Sequence, residues 1–355
     1  MRHTARALIA DCEAACACER AWGRVLTLRG ETETGASVAP QQQTQRSRAW
    51  VTLLSDRSYA SGVRALYNSL QQADTEYPLI VMVTPSVPPD VRNNLAALGS
   101  DCIVREVDPL PLPAGTGGAP NYACAHFADC WAKLRMWEWE DEFDRLCYLD
   151  ADMLLLKNMD ELLEADDACE DGDGGSLAAA CRAVQAVQEC FCPVLERKHL
   201  CAYGQPAGAP VPWAYFNAGL LVLRPCVALL AHMRDALAAA DLAAFPFAEQ
   251  DFLNRYFAGV WRPLPWVYNA SKALYACHRG PGLLWDLSAV KNVHYTMAKP
   301  WDLRHQCHQG YERLNELWHA AFAEPQSLAR VTLRAVLQEK RALRESASNK
   351  ANAAS

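Results

Sequence analysis

Two aspartates, Asp150 and Asp152, stand inside the apolar run "LCYLDADMLLL" at residues 146 to 156. Buried carboxylates are costly unless a cation or hydrogen-bond donors meet them. In an extended strand, residues two apart face the same way, so both carboxylates can project together just past the end of a buried strand. Two carboxylates aimed at one point repel unless a cation sits between them. Oxygen ligands suit Mg²⁺ or Mn²⁺, and an added imidazole shifts the preference to Mn²⁺. A metal with open positions can bind a diphosphate and neutralise it as it leaves. The plain alternative is that both aspartates cap the turn into "NMDELLE". Asp-x-Asp alone does not choose between the two.

The surrounding pattern predicts what positions this pair. "AWVTLL" reads as a buried strand, followed by a helix with Tyr59, Val63, Leu66 and Leu70 on one face. "YPLIVMVTP" is a second strand, "PPDVRNNLAALG" a short helix opened by prolines and closed by Gly99, and "CIVREV" a third strand. Strand, helix, strand, helix, strand is the pattern of an α/β fold with a parallel sheet covered on both faces. Such sheets bind ligands at the carboxyl ends of their strands. No G-x-G-x-x-G follows the first strand, and the glycines of "PAGTGGAP" precede no helix, so neither a dinucleotide fingerprint nor a P-loop is present.

"HFADCWAKLRMWEWEDEF" predicts a tryptophan-rich helix, "RLCYL" a central strand, and "NMDELLEADDACEDGDGGS" a helix running into an acidic loop. Residues 176 to 215 carry no readable pattern. "WAYFNAGLLVLRP" restores strand character, and "PCVALLAHMRDALAAADL" and "FAEQDFLNRYF" read as helices. "WRPLPWVYN" and "KNVHYTMAKPW" read as strand-to-loop segments. The division expected is a disordered extension over 1–47, one domain over 48–322, and a C-terminal helix with a frayed tail over 323–355. That basic amphipathic helix is expected to dock on the domain rather than lie on a membrane.

The chain has 355 residues, 51% hydrophobic and 21% charged, an ordinary globular balance that allows a sizeable core. Its net charge of −7 argues against broad capture of nucleic acid, so any polyanion must be held locally. No apolar run approaches the ~20 residues of a transmembrane helix. The "ALIA" patch near the N-terminus is too short for a signal peptide, and Asp11 and Glu13 follow at once. A cytoplasmic location is expected; Arg2 and Arg6 leave a weaker organelle-transit alternative.

The 15 cysteines then read as thiols rather than disulfides. The densest group is Cys181, Cys190, Cys192 and Cys201, with His199 nearby. Its Cys190-Phe-Cys192 spacing is not the C-x-x-C of a zinc ribbon, so buried thiols are expected there. Asn269-Ala-Ser271 matches a glycosylation sequon, which has no meaning without secretion.

"RAWVTLLSDRSYASG", "CIVREVDP", "KLRMWEW", "YLDADMLLL", "YFNAGLLV", "FAEQDFLN", "VYN" and "VHYTMAKPW" occur in that order. Together they resemble glycosyltransferase family 8, the group of glycogenin, bacterial lipopolysaccharide galactosyltransferases and plant galactinol synthases, over about residues 48–320. "CIVRE", "ECFC", "YFNAG" and "FAEQDFLN" share the galactinol synthase wording. The resemblance implies a GT-A type, Rossmann-like fold with a mainly parallel mixed sheet. It implies transfer of a hexose from a UDP-sugar to a small polyol or glycan acceptor, with retention and with Mn²⁺ (Mg²⁺ as substitute). A homodimer is compatible with it.

By the same resemblance, Asp150, Asp152 and His294 are the metal ligands, with Ala151 between the aspartates, and Lys299 contacts the diphosphate. Leu53, Ser55 and Tyr59 fall on the uridine segment, Tyr59 able to stack on uracil. Lys133 and Arg135 match basic positions facing the donor, and Asn217, Ala218 and Gly219 a sugar-binding turn. Gln250 matches the glutamine near the anomeric carbon. An amide is a poor nucleophile, which favours front-side departure and attack; a double displacement would need Glu249 or Asp251.

The chain departs from galactinol synthases in two places. It has Asp-Ala-Asp where they carry Asp-Gly-Asp, and "HYTMAKPW" is two residues shorter than their last motif. Transfer of galactose from UDP-galactose to myo-inositol is the leading expectation. A glycogenin-like self-glucosylating primer using Tyr275, and an inactive nucleotide-sugar-binding protein, are the alternatives.

Overall fold

The structure is a computed structural model describing residues 47–112, 122–165, 184–192, 201–205, 214–302, 308–323 and 325–354. The expected N-terminal extension lies outside these residues, as do Cys181 and His199. The first half alternates as expected: β1 (Ser47–Leu54), α1 (Ala60–Gln72), β2 (Leu79–Val83), α2 (Pro89–Ala96) and β3 (Cys102–Glu106). β4 (Phe143–Leu149) pairs parallel with β1, and β7 (Phe216–Leu223) pairs antiparallel with β4. With β6 (Gln185–Gln188) and β8 (Arg262–Leu264) beyond β7, the seven-stranded sheet has the order β3-β2-β1-β4-β7-β6-β8.

Side chains alternate along β1 and β4 between two cores. Ala49, Val51, Leu53, Leu146 and Tyr148 face one side; Trp50, Leu54, Cys147 and Leu149 face the other. This explains why each strand reads as a continuous apolar run rather than an alternation. α1 covers the second face with Val63, Leu66 and Leu70. A 3-10 helix, Ala125–Glu138, covers the first face with Trp131, Leu134 and Trp137, where the sequence predicts an α-helix.

β6 falls where the sequence showed no pattern, whereas the strands expected at the start of "WRPLPWVYN" and "KNVHYTMAKPW" are present. β6 pairs antiparallel with β7 and parallel with β8. Its four residues are too few, and too polar at both ends, to register as periodicity. A second sheet has the order β5-β10-β9, built from β5 (Met153–Leu155), β9 (Ala270–Ser271) and β10 (Asn292–His294). The helix expected at "NMDELLE" is a single turn, α3 (Glu161–Glu164), with Asp160 at its N-cap.

Three further helices complete the part near the site: α4 (Val227–Ala238), α5 (Glu249–Tyr256) and α6 (Lys272–Cys277). α7 (Glu312–Ala323) packs on α1, where Asn68 Nδ2 donates to the Ala321 carbonyl at 2.9 Å. α8 runs Leu328–Ala354, through the residues expected to fray. It docks through Leu328 and Ala335, and its Glu339 accepts the Leu287 amide at 3.0 Å. Among the described residues, no helix is long and apolar enough to cross a membrane.

Candidate active site

The two aspartates sit on a turn rather than on a strand. β4 ends at Leu149 and β5 starts at Met153; the Met153 amide donates to the Asp150 carbonyl at 3.1 Å. The expected two-residue strand period therefore does not aim these carboxylates; the turn does. Neither aspartate caps the helix that follows, since Asp160 holds that position. The Asp150 amide donates to the Gly219 carbonyl at 2.8 Å, which ties the turn to β7. On the other side, the Ala151 carbonyl packs on α1 at Gly62, where a Cβ would come within 2.3 Å of it.

The small sheet delivers the third group. β10 runs antiparallel to β5 with His294 opposite Met153, one residue past Asp152. His294 Nε2 lies 3.3 Å from Asp152 Oδ1 and 3.7 Å from Asp150 Oδ2. One ligand atom each from Asp150, Asp152 and His294 lies within 4.8 Å of the others.

The imidazole is fixed from behind by a chain of amides. Asn217 Nδ2 donates to Glu189 at 2.5 Å, so Asn217 Oδ1 is the acceptor for Gly219 N and Asn269 Nδ2, both at 2.9 Å. Asn269 Oδ1 then accepts from His294 Nδ1 at 2.9 Å. With the proton on Nδ1, Nε2 offers its lone pair toward the carboxylates. Gly219 keeps the space open: a Cβ there would lie 2.6 Å from His294 Cε1 and 2.7 Å from Asp150 Oδ2. Two carboxylates and an oriented imidazole around so tight a cradle fit Mn²⁺ in kind and number, with coordination positions left for a ligand.

Cations flank the cradle. Lys299 donates to Asp152 Oδ2 and, at 3.0 Å, to the Tyr295 carbonyl. Burial alone would raise the Asp152 carboxyl, but the Lys299 ammonium beside it outweighs that and holds it well below the usual carboxylate range. Lys133 is buried between Asp150 Oδ1 at 3.0 Å and Glu249 Oε1 at 2.7 Å. Burial opposes its charge, yet the Asp150 and Glu249 carboxylates outweigh that and keep it protonated. Burial pushes the Glu249 carboxyl up, and Lys133 only partly offsets this.

Lys133→Met is therefore expected to strand Glu249 and to destabilise the fold by about 3 kcal/mol in urea unfolding. Adding Glu249→Gln should recover more than half of that loss. Equal stability of the single and double variants would contradict this coupling.

Arg135, expected to face the donor beside Lys133, is held by other partners. On a 3-10 helix, residues two apart lie on different faces. Arg135 accordingly turns away from Lys133, donating to Glu138 and to the Asp108 and Pro109 carbonyls. The Leu53 side chain is packed in the sheet core. The Ser55 carbonyl accepts from the Thr84 and Ser86 hydroxyls, fixing the end of β1. Tyr59 does stand at the site mouth. Its ring is 5.7 Å from Lys299 Nζ and 5.7 Å from the Trp301 ring, with His126 at 5.9 Å. His126 and Trp301 had not been singled out as members of this rim.

The "FAEQD" segment opens α5 through Ala248, at φ 49, a left-handed conformation rare for a residue with a Cβ. Gln250 Oε1 accepts the Ala218 amide at 2.9 Å, which anchors α5 to β7; Asn217, Ala218 and Gly219, expected to form a sugar-binding turn, lie within that strand. Asp251 does not reach that side. Its oxygens accept from the Tyr215 hydroxyl and the Phe247 amide, both at 2.6 Å, so a nucleophilic role for Asp251 is not supported. Glu189, Asn269 and Tyr215 were missed as site residues, although "ECFC" and "VYN" contain the first two.

Burial raises the Asp251 carboxyl from 3.8 to about 6. The folded chain thus holds a proton between those values that the unfolded chain has lost. Stability from this group is present at low pH and lost as pH rises toward 6, an effect of about 3 kcal/mol. The stability difference between wild type and Asp251→Asn should fall between about pH 4 and 6 and stay flat above. A difference independent of pH would refute this assignment.

A family model described as Glycosyl transferase family 8 matches residues 50–304. Galactinol synthase 1 of Solanum lycopersicum is 33% identical over 283 residues, covering 76% of this chain and 79% of that one. Galactinol synthase 6 of Arabidopsis thaliana is 34% identical, covering 72% and 73%. Among solved structures, the galactosyltransferase LgtC in complex with donor and acceptor sugar analogs superposes with a TM-score of 0.53 at 23% identity. That match covers 77% of this chain and 95% of LgtC. It supports the fold, a GT-A type mixed α/β sheet.

Proposed function

This chain belongs to glycosyl transferase family 8, and from that premise we propose that it is a retaining, Mn²⁺-dependent hexosyltransferase that moves galactose from UDP-galactose to myo-inositol. The observation that carries the reading is the convergence of Asp150, Asp152 and His294 around the Gly219 cradle, with Lys299 held against Asp152. The galactinol synthase similarity supports the choice of donor and acceptor.

Asp150, Asp152 and His294 would hold the Mn²⁺, which supplies Lewis-acid neutralisation of the diphosphate as UDP leaves. The Lys299 ammonium meets the same charge. The Tyr59 ring at the mouth suits stacking on uracil. Gln250, pinned to Ala218, fixes the floor beneath the hexose. The sugar C1–O bond to UDP breaks, the acceptor oxygen bonds C1 on the same face, and its proton passes to the leaving UDP oxygen.

No free carboxylate is needed for that route, and the flanking carboxylates fit it. Asp251 is engaged through both oxygens, and Glu249 is paired with Lys133. The primer reading finds less support. Tyr275 is 2% exposed, and its hydroxyl accepts from Arg279. An acceptor hydroxyl must reach the donor.

The test is to incubate the protein with Mn²⁺ and UDP-galactose or UDP-glucose, with and without myo-inositol, and to follow UDP and products. We expect UDP release that requires the inositol, faster with UDP-galactose, and an α-galactoside by NMR. A β-linked product would overturn retention. Hexose mass added to the protein itself would support the primer reading instead. No UDP release from either donor would remove the enzyme reading.

A further inference from the structure

Away from the aspartate pair, three thiols and one imidazole meet in the interior. Cys190 and Cys192 follow β6, Cys201 caps the 3-10 turn Ala202–Gly204, and His278 caps the C-terminus of α6. The cysteines are close in sequence and His278 lies 77 residues beyond Cys201, yet one ligand atom from each lies within 4.8 Å of the others. All four are buried, between 3% and 8% exposed. His278 is the histidine that meets the cysteines among the described residues; His199 lies outside them.

The spacings have a chemical meaning. Cys190 Sγ and Cys201 Sγ are 3.8 Å apart. His278 Nε2 is 3.5 Å from Cys192 Sγ and 3.4 Å from Cys201 Sγ. A tetrahedral zinc with Zn–S of about 2.3 Å and Zn–N of about 2.0 Å has S···S edges of about 3.8 Å and S···N edges of about 3.5 Å. Three soft thiolates and one imidazole, with no carboxylate in the set, suit zinc rather than manganese.

We propose that Cys190, Cys192, Cys201 and His278 form a closed structural Zn²⁺ site, separate from the aspartate–histidine cradle. The four protein ligands fill the tetrahedron, leaving no open position for substrate. Binding releases the thiol protons and needs no oxidant. The site staples the segment after β6 to the end of α6. It also borders the active site. Glu189, next to Cys190, accepts the Cys190 amide at 2.8 Å and begins the amide chain that orients His294. The zinc claim itself does not depend on which sugar is transferred.

The test is elemental analysis of the full chain, produced in zinc-containing medium and desalted. We expect about one zinc per chain in wild type and equally in Asp152→Asn, because the second variant alters only the other cradle. Cys192→Ser and His278→Asn should each lose most of it. Because zinc loss through unfolding would look the same in those variants, wild-type protein produced with cobalt supplies a second readout. It should show an intense thiolate-to-cobalt charge-transfer band with tetrahedral visible bands, unchanged in Asp152→Asn. Zinc-free wild type, or cobalt protein without the thiolate band, would overturn the proposal. So would a disulfide mapped by peptide mass to Cys190 and Cys201 in the freshly purified protein.

Discussion

Asp152→Asn is expected to lower metal-dependent transfer by roughly 10³-fold or more while leaving the fold intact. The substitution keeps size and shape but removes the charge. Asp152 faces His294 Nε2 at 3.3 Å and is the acceptor for Lys299, so its loss weakens both cation binding and the placement of the ammonium. The backbone role survives, since the Tyr295 amide donates to the Asp152 carbonyl at 2.9 Å and not to the side chain. Lys299 is partly solvent-accessible, so its released charge can be hydrated at small cost. Turnover assays with Mn²⁺ titration, alongside thermal melts, check this. Wild-type turnover in the variant would refute the metal assignment, and a collapsed melt would refute the claim that the fold is independent of it.

Gly219→Ala is expected to cost about 10²-fold in activity through a single methyl group. The added carbon would lie 2.6 Å from His294 Cε1, 2.7 Å from Asp150 Oδ2 and 2.8 Å from Asn217 Oδ1. No real Cβ tolerates such approaches, so the imidazole and a carboxylate must both move. Gly219 sits in the interior of β7, with Leu220 paired to Leu149, so the backbone cannot retreat without breaking the sheet. A stability loss of about 1–3 kcal/mol should accompany the loss of activity. The discriminating measurement is Mn²⁺ affinity. It should weaken at least tenfold, and an unchanged affinity would show that the cradle does not depend on this glycine.

The alternating first half of the sheet was legible because its strands are buried on both faces and therefore read as uninterrupted apolar runs. "AWVTLL" and "LIVMV" lie within β1 and coincide with β2. β6 was not legible, since "QAVQ" is short and polar at both ends. The metal pair was visible as chemistry, but its geometry was misread: a turn, not strand alternation, brings Asp150 and Asp152 together. Their link to His294 depends on pairing between two three-residue strands, β5 and β10, which local periodicity does not reveal. Only the resemblance pointed to it.

The same limit explains two other differences. Arg135 and Lys133 share a motif, yet helical geometry sends them to different faces. His278 lies 77 residues beyond Cys201 in sequence, and nothing in "CHRG" marks it as the fourth partner of three cysteines. Glu189 and Asn269 orient His294 without standing among its sequence neighbours.

The central claim is that a divalent cation held by Asp150, Asp152 and His294 is required to cleave the UDP-hexose bond. The most direct measurement is UDP release from UDP-galactose in the presence of myo-inositol, after chelator treatment and then with added Mn²⁺. The account predicts no release from the chelated protein and saturable recovery as Mn²⁺ is restored. Release that continues at the same rate without metal would contradict it.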